Sequence, residues 1–134
     1  MARWRVMTVD DSAAILTIIS AYLEDSEFEV VAAERDGIMA VERFAQERPD
    51  IVLLDLNMPK KDGRQALLEI KADPDLQRIP VAIWTTSDEV EDRIQCEIAG
   101  ADVFVTKPVD YAELVDIVRG LVARYSSQRQ PRLN

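Results

Sequence analysis

Ile51-Val-Leu-Leu-Asp55 decides the fold: four consecutive apolar residues that stop at an acid read as a strand covered on both faces and ending at a sheet edge. A second run, Val6 to Val9, stops in the same way at the adjacent pair Asp10-Asp11. If the two runs are neighbouring parallel strands, three carboxylates converge at one edge. Like charges that close raise one another's pKa unless a cation sits among them. The pattern therefore predicts a divalent-metal site around a carboxylate that itself does chemistry.

Further runs of this kind lie at Val30 to Ala33, Val81 to Trp84 and Val103 to Val105, and stretches of helical period separate them. The first such stretch carries Ile15, Ile18, Ile19, Tyr22 and Leu23 on one expected inner face, with Asp11 or Ser12 as N-cap. The second, Gly37 to Glu47, directs Val41, Phe44 and Ala45 inward and stops before Pro49. Ala66, Leu67 and Ile70 mark the third, which ends near Asp73-Pro74, while Val90, Ile94 and Ile98 mark the fourth, which ends at Gly100. The fifth starts at Tyr111 and places Leu114, Ile117, Val118, Leu121, Val122 and Tyr125 inward. Parallel neighbours need crossover connections, so this alternation predicts an α/β fold, a doubly wound five-stranded parallel sheet with helices on both faces. Ligands of such sheets bind beyond the carboxyl ends of the strands, where Asp10, Asp11, Asp55, Thr85, Thr86 and Lys107 all fall.

Composition narrows the function. The 134 residues, 48% hydrophobic, suit one domain, expected over residues 1–125 with a frayed tail over 126–134. With 16 Lys and Arg against 25 Asp and Glu, the formal net charge is -9, which disfavours nucleic acid as a partner. Cys96 is the single cysteine, no apolar stretch approaches the roughly 18 residues of a membrane span, and the N-terminus runs into the first strand without a signal-peptide core. A cytoplasmic setting without membrane contact is expected. The chain has no histidine, so histidine-based catalysis, metal ligation and phosphate carriage must come from elsewhere.

Taken in register, Asp10-Asp11, the segment Asp55-Leu-Asn-Met-Pro-Lys-Lys-Asp-Gly63, Thr85-Thr86, Gly100-Ala101 and Lys107-Pro108 resemble the receiver domain of two-component response regulators over roughly residues 4 to 125. The resemblance implies the flavodoxin-like strand order 2-1-3-4-5. It also implies a switch that takes a phosphoryl group from a sensor histidine kinase or a histidine phosphotransfer protein onto Asp55. Mg²⁺ would be held by Asp11, Asp55, the backbone carbonyl of Asn57 and Asp10 through a water. Lys107 would pair first with Asp55 and then with a phosphoryl oxygen, its bond to Pro108 resembling the family's cis peptide. Thr85 would bond the phosphoryl group and, by moving, let Phe104 turn inward, with Thr86 small enough to admit the phosphate. The commoner residue at position 104 is Tyr, whose hydroxyl contact Phe lacks.

The same resemblance places output on the surface of the fourth helix, fifth strand and fifth helix. There Arg93 and Glu97 are expected on the face opposite Val90, Ile94 and Ile98, and Glu91-Asp92-Arg93-Ile94 is similar to receivers of winged-helix transcription factors that dimerise through this face. A homodimer and a downstream protein target are the expected partners. Ile79 to Ser87 is similar to stand-alone receivers paired with phytochrome-type kinases. Such a chain is no enzyme beyond accepting phosphate from small donors and losing it again. A receiver cut from a larger transcriptional regulator is an alternative, and so is a degenerate receiver kept for interaction alone, against which the complete acidic set argues. A Mg²⁺-dependent phosphohydrolase with an aspartyl-phosphate intermediate would need a second acid two residues after the nucleophile, where Asn57 stands. A flavodoxin-like electron carrier would need a phosphate loop where Asp10-Asp11-Ser12 stands. Cys96 is expected to be an inert thiol and Trp84 simple core packing.

Overall fold

A computed structural model describes residues 3–125, and the expected tail at 126–134 and the Tyr125 side chain lie outside the described residues. Ten elements alternate: β1 (Trp4–Val9), α1 (Ala13–Glu24), β2 (Phe28–Glu34), α2 (Gly37–Glu47), β3 (Ile51–Leu54), α3 (Gly63–Ala72), β4 (Val81–Thr85), α4 (Val90–Ala99), β5 (Val103–Thr106) and α5 (Tyr111–Tyr125). The strands form one parallel sheet in the order β2-β1-β3-β4-β5, as the sequence predicts.

Side-chain alternation explains the unbroken apolar runs. Val52 and Leu54 of β3 join Met7, Val9, Phe44, Leu67, Ile70 and Cys96 on one face of the sheet. Ile51 and Leu53 join Val6, Ile19, Leu23, Phe28, Leu114 and Val118 on the other. Both faces are thus dry, and each large apolar side chain buried there contributes about 2 kcal/mol of transfer free energy. Only the two central strands β3 and β4 are buried throughout; β5, at the sheet edge, is half-buried along its length.

Local chemistry sets the helix ends. Ser12, Asp36 and Asp62 accept from the first-turn N–H groups of α1, α2 and α3, and Gly100 ends α4 in the left-handed region at φ 105°. Gly63 answers a different need. A Cβ there would lie 2.0 Å from the Asp55 carbonyl oxygen, because the Gly63 N–H folds back to the Leu56 carbonyl at 2.7 Å and pins the loop after β3 beneath the strand end.

Three helices differ from the expectation. On α1 the inner line is Leu16, Ile19 and Leu23, while Ile18 and Tyr22 stand 41% and 46% exposed. On α4 the difference is larger: Val90, Ile94 and Ile98 are 69%, 49% and 79% exposed, and the buried residue is Cys96. The inner line of α4 is Asp92, Cys96 and Ala99, short side chains that allow a close approach and leave the bulky ones outside. Arg93 and Glu97 are exposed too, and at 100° per residue they flank the apolar stripe rather than oppose it. On α2, Ala40 takes the buried place expected of Ala45. Periodicity correctly identified a stripe on α4 but gave no indication of which side the sheet would cover.

The close approach at Gly63 makes a specific demand on stability. Gly63→Ala should destabilise the fold by about 2 kcal/mol through overpacking against the strand-end backbone. Gly120→Ala, at an exposed position within α5 with nothing within 4 Å of the new Cβ, should stabilise it by up to about 1 kcal/mol. Chemical denaturation of the two variants beside the wild type checks the opposite signs.

Candidate functional site

The carboxyl ends of β1, β3, β4 and β5 build the site. Asp10 follows β1, its N–H bonded to the Glu34 carbonyl at 3.0 Å, and Asp55 follows β3, its N–H bonded to the Val9 carbonyl at 3.0 Å. The sheet ladder itself therefore sets their positions. Carboxylate oxygens of Asp10, Asp11 and Asp55 lie within 4.8 Å of one another, with Asp10 2% and Asp55 5% exposed and Asp11 open to solvent. Lys107, directly after β5, extends its ammonium into this cluster, 2.5 Å from Asp10 Oδ2 and 3.5 Å from Asp55 Oδ2. Its peptide bond to Pro108 is cis, as the resemblance implied.

Burial dominates the electrostatics of Asp55. It pushes the carboxyl above the ordinary carboxylate range; Lys107 pulls it back down, Asp10 pushes it up again, and the Thr85 hydroxyl and Asn57 N–H pull it down. The Asn57 N–H donates to Asp55 Oδ1 at 3.4 Å, and the Asn57 amide donates to Thr85 Oγ1 at 3.5 Å. Thr85 is fully buried, and Thr86 beside it is exposed. An acidic notch with one ammonium and a raised carboxyl pKa fits a hard divalent cation, for which oxygen ligands are the suitable donors.

Phe104 lies farther out. It is half-buried in β5 against the α4 side of the core, and the Arg93 guanidinium sits 4.9 Å from its ring centroid. The expected switch residue is therefore capped by a cation from α4, a contact that residue spacing did not suggest.

Two further features escaped the sequence reading. The first is Trp84, expected only to pack the core: it is 4% exposed, and the Lys107 ammonium lies 4.6 Å from its ring centroid. The signal was available, because parallel register pairs Trp84 with Val105, and Lys107 two residues on projects from the same face. The second is a bridge between loops. Arg64 binds Asp92 through two nitrogens at 2.8 and 2.6 Å and Asp62 at 3.1 Å, while the Ser87 hydroxyl donates to Asp92 at 2.5 Å. These bonds hold Asp92 ionised below the usual carboxylate range and tie the start of α3 to the loop after β4 and the start of α4. Sequence spacing gives no direct sign of a pair 28 positions apart. Cys96 meets the expectation of an unreactive thiol, since burial pushes its pKa up.

The sequence pattern of the response regulator receiver domain matches residues 6–119. Response regulator Rcp1 of Synechocystis sp. is 37% identical over 125 residues, covering 87% of this chain and 84% of its own. Protein PilH of Pseudomonas aeruginosa is 36% identical over 119 residues, covering 89% of this chain and 98% of its own. The chain also spans about half the length of several transcriptional regulators that it matches. Among solved structures, the phosphorylated cyanobacterial phytochrome response regulator RcpA superposes with a TM-score of 0.77 at 38% identity, covering 96% of this chain and 98% of its own. A Mn²⁺-bound form of Rcp1 gives 0.77 at 33% identity, covering 97% and 99%. With the acidic notch, the paired lysine and the sheet order all in register with this likeness, the chain belongs to the response regulator receiver family.

Proposed function

We propose that this chain is a stand-alone receiver that accepts a phosphoryl group on Asp55 from the phosphohistidine of a kinase or phosphotransfer protein, with Mg²⁺ in the acidic notch. The observation that carries it is the placement of Lys107 Nζ 3.5 Å from a nearly dry Asp55 carboxylate that shares its notch with Asp10 and Asp11. This chain covers 84% of Rcp1 and 98% of PilH, which supports reading the receiver domain, residues 1–125, as the unit that carries the phosphoryl chemistry.

Asp10, Asp11, Asp55 and the Asn57 carbonyl would hold the ion, whose charge offsets the repulsion between a phosphoryl dianion and the carboxylates. In the transfer, an Asp55 carboxylate oxygen forms the new O–P bond as the P–N bond to the donor imidazole breaks, and the imidazole leaves with the electron pair. Lys107 follows the charge from the carboxylate to a phosphoryl oxygen, and Thr85, already beside Asp55, offers its hydroxyl to another. Hydrolysis resets the carrier: water attacks phosphorus, the O–P bond to Asp55 breaks, and inorganic phosphate leaves a free carboxylate. Asn57 supplies no proton, so turnover of external esters is not part of this reading.

Output passes to the α4, β5 and α5 surface. The exposed stripe Val90, Ile94 and Ile98 offers apolar area to a downstream protein or to a second copy, and Arg93 would have to release the Phe104 ring for the switch residue to turn inward. A formal net charge of -9 opposes nucleic acid as that partner. No described helix is long and apolar enough to cross a membrane.

Incubation with Mg²⁺ and acetyl phosphate should add one phosphoryl increment to the intact mass of the wild type and none to Asp55→Asn; an increment that persists in the variant would assign the acceptor elsewhere. The pH dependence has a definite sign. Because burial raises the Asp55 pKa, the folded state favours the protonated acid, so this group's contribution to stability falls as pH rises from the unfolded value of 3.8 through the higher folded one. Metal should reverse that penalty: at neutral pH, Mg²⁺ at a hundred times its Kd should stabilise the wild type by about 2.7 kcal/mol. Lowering the pH should weaken Mg²⁺ binding before ordinary carboxylates titrate, and Lys107→Met should move that midpoint higher still. Calorimetric Mg²⁺ titrations across pH measure both.

A further inference from the structure

Three aromatic rings run from the surface of α1 to the acidic notch. Tyr22 of α1, 46% exposed, stacks on Tyr111 of α5 with centroids 5.5 Å apart and planes at 27°. Tyr111 meets Trp84 edge-on, 5.9 Å away at 81°. Trp84 in turn presents its ring to Lys107 Nζ at 4.6 Å. The ammonium so cradled is the one that touches Asp10 at 2.5 Å and Asp55 at 3.5 Å.

The two carboxylates and the ring act differently on that ammonium. Asp10 holds it at hydrogen-bond distance, more closely than Asp55 does, so ionic attraction alone favours the acid that does not carry the phosphate. An aromatic face attracts a cation through its quadrupole, with no requirement for a particular N–H direction. It also walls off rotamers of an unbranched four-carbon side chain, which otherwise has many to choose from. The Trp84 indole N–H is buried and makes no hydrogen bond to the described residues, so the ring contributes through its face and bulk. Tyr111 packs edge-on against that ring, and Tyr22 stacks on Tyr111 in turn.

We propose that Trp84 is a positioning residue for Lys107: its braced ring keeps the ammonium beside Asp55 while leaving the N–H groups free to turn from Asp10 to an oxygen carried on Asp55. This rests on the phosphoryl-accepting reading given above and adds to it a residue outside the acidic set. A strand position that needs only apolar bulk would accept any residue of similar volume; this one would require a π face.

The test is a double-mutant cycle on folded protein, with thermal melts confirming that each variant is native. In the metal-free protein, ¹H–¹³C NMR should find the Lys107 ε-methylene protons shifted upfield by the ring in the wild type and in Trp84→Phe, and unshifted in Trp84→Leu. With Mg²⁺ present, ¹⁹F NMR should show beryllofluoride binding weakened about tenfold by Trp84→Leu, with Trp84→Phe recovering most of the loss. In a Lys107→Ala background, Trp84→Leu should cost nothing further. If leucine leaves too rigid a gap for folding, Trp84→Met, whose unbranched thioether adapts to irregular space, also removes the π face and should show the same tenfold loss. Failure of the wild type to bind beryllofluoride would remove the phosphoryl reading and this inference together. Wild-type binding with an undiminished Trp84→Leu, or with an equal loss in the Lys107→Ala background, would overturn the positioning role alone.

Discussion

Everything at the carboxyl edge of this sheet answers to one electrostatic constraint: three carboxylates, two of them nearly dry, lie within a few ångströms of one another and of a single ammonium. Asp10 and Asp55 are almost without solvent, and Lys107 is 3.5 Å or less from both. Charges in such a place stay ionised only while paired, and their interactions are far stronger than on a wet surface. One ammonium cannot balance three acids. The notch is therefore poised toward additional positive charge, and Asp55, whose carboxyl burial pushes upward, is the member with most to gain from it.

The fold exists to hold that imbalance in place. Parallel strands put the ends of β1 and β3 side by side, and ladder bonds from Glu34 and Val9 to the two aspartate N–H groups prevent the acids from drifting apart. Apolar packing on both sheet faces makes the strand ends rigid, and the Gly63 turn presses the loop after β3 against the Asp55 carbonyl. The Arg64–Asp92–Ser87 bridge then links this loop to the start of α4, whose stripe of Val90, Ile94 and Ile98 is exposed. A charge change on Asp55 thus has a short covalent and hydrogen-bonded route to the surface at which a partner could sense it.

Sequence reading succeeded where the physics is local. Strand runs ending in Asp10 and Asp55 and helix bounds at Gly37–Glu47 and Gly100 follow from periodicity and capping, the parallel sheet follows from crossover rules, and the order of its strands came from the resemblance to receiver domains; the site residues fall at strand ends because the fold class puts them there. It failed where two patterns compete. On α4, a bulky stripe at helical spacing looks like a core face, yet the chain packs the short side of that helix, Asp92, Cys96 and Ala99, because the adjoining side chains need a close approach and Asp92 has a partner in Arg64. Trp84 does pack the core, as its residue type says, and strand register adds that Lys107 shares its face. Arg93 over Phe104 is a contact between distant elements, invisible to any local rule.

The central claim, that the dry carboxyl at position 55 is where phosphate and charge are exchanged, is tested most directly by a crystal structure of the protein with Mg²⁺ and beryllofluoride. The account predicts beryllium joined to an Asp55 carboxylate oxygen, the metal against Asp11, Asp55 and the Asn57 carbonyl, and the Lys107 ammonium transferred from Asp10 to a fluoride. Beryllofluoride seated on another acid, or Lys107 still bound to Asp10 in a fully loaded site, would contradict it.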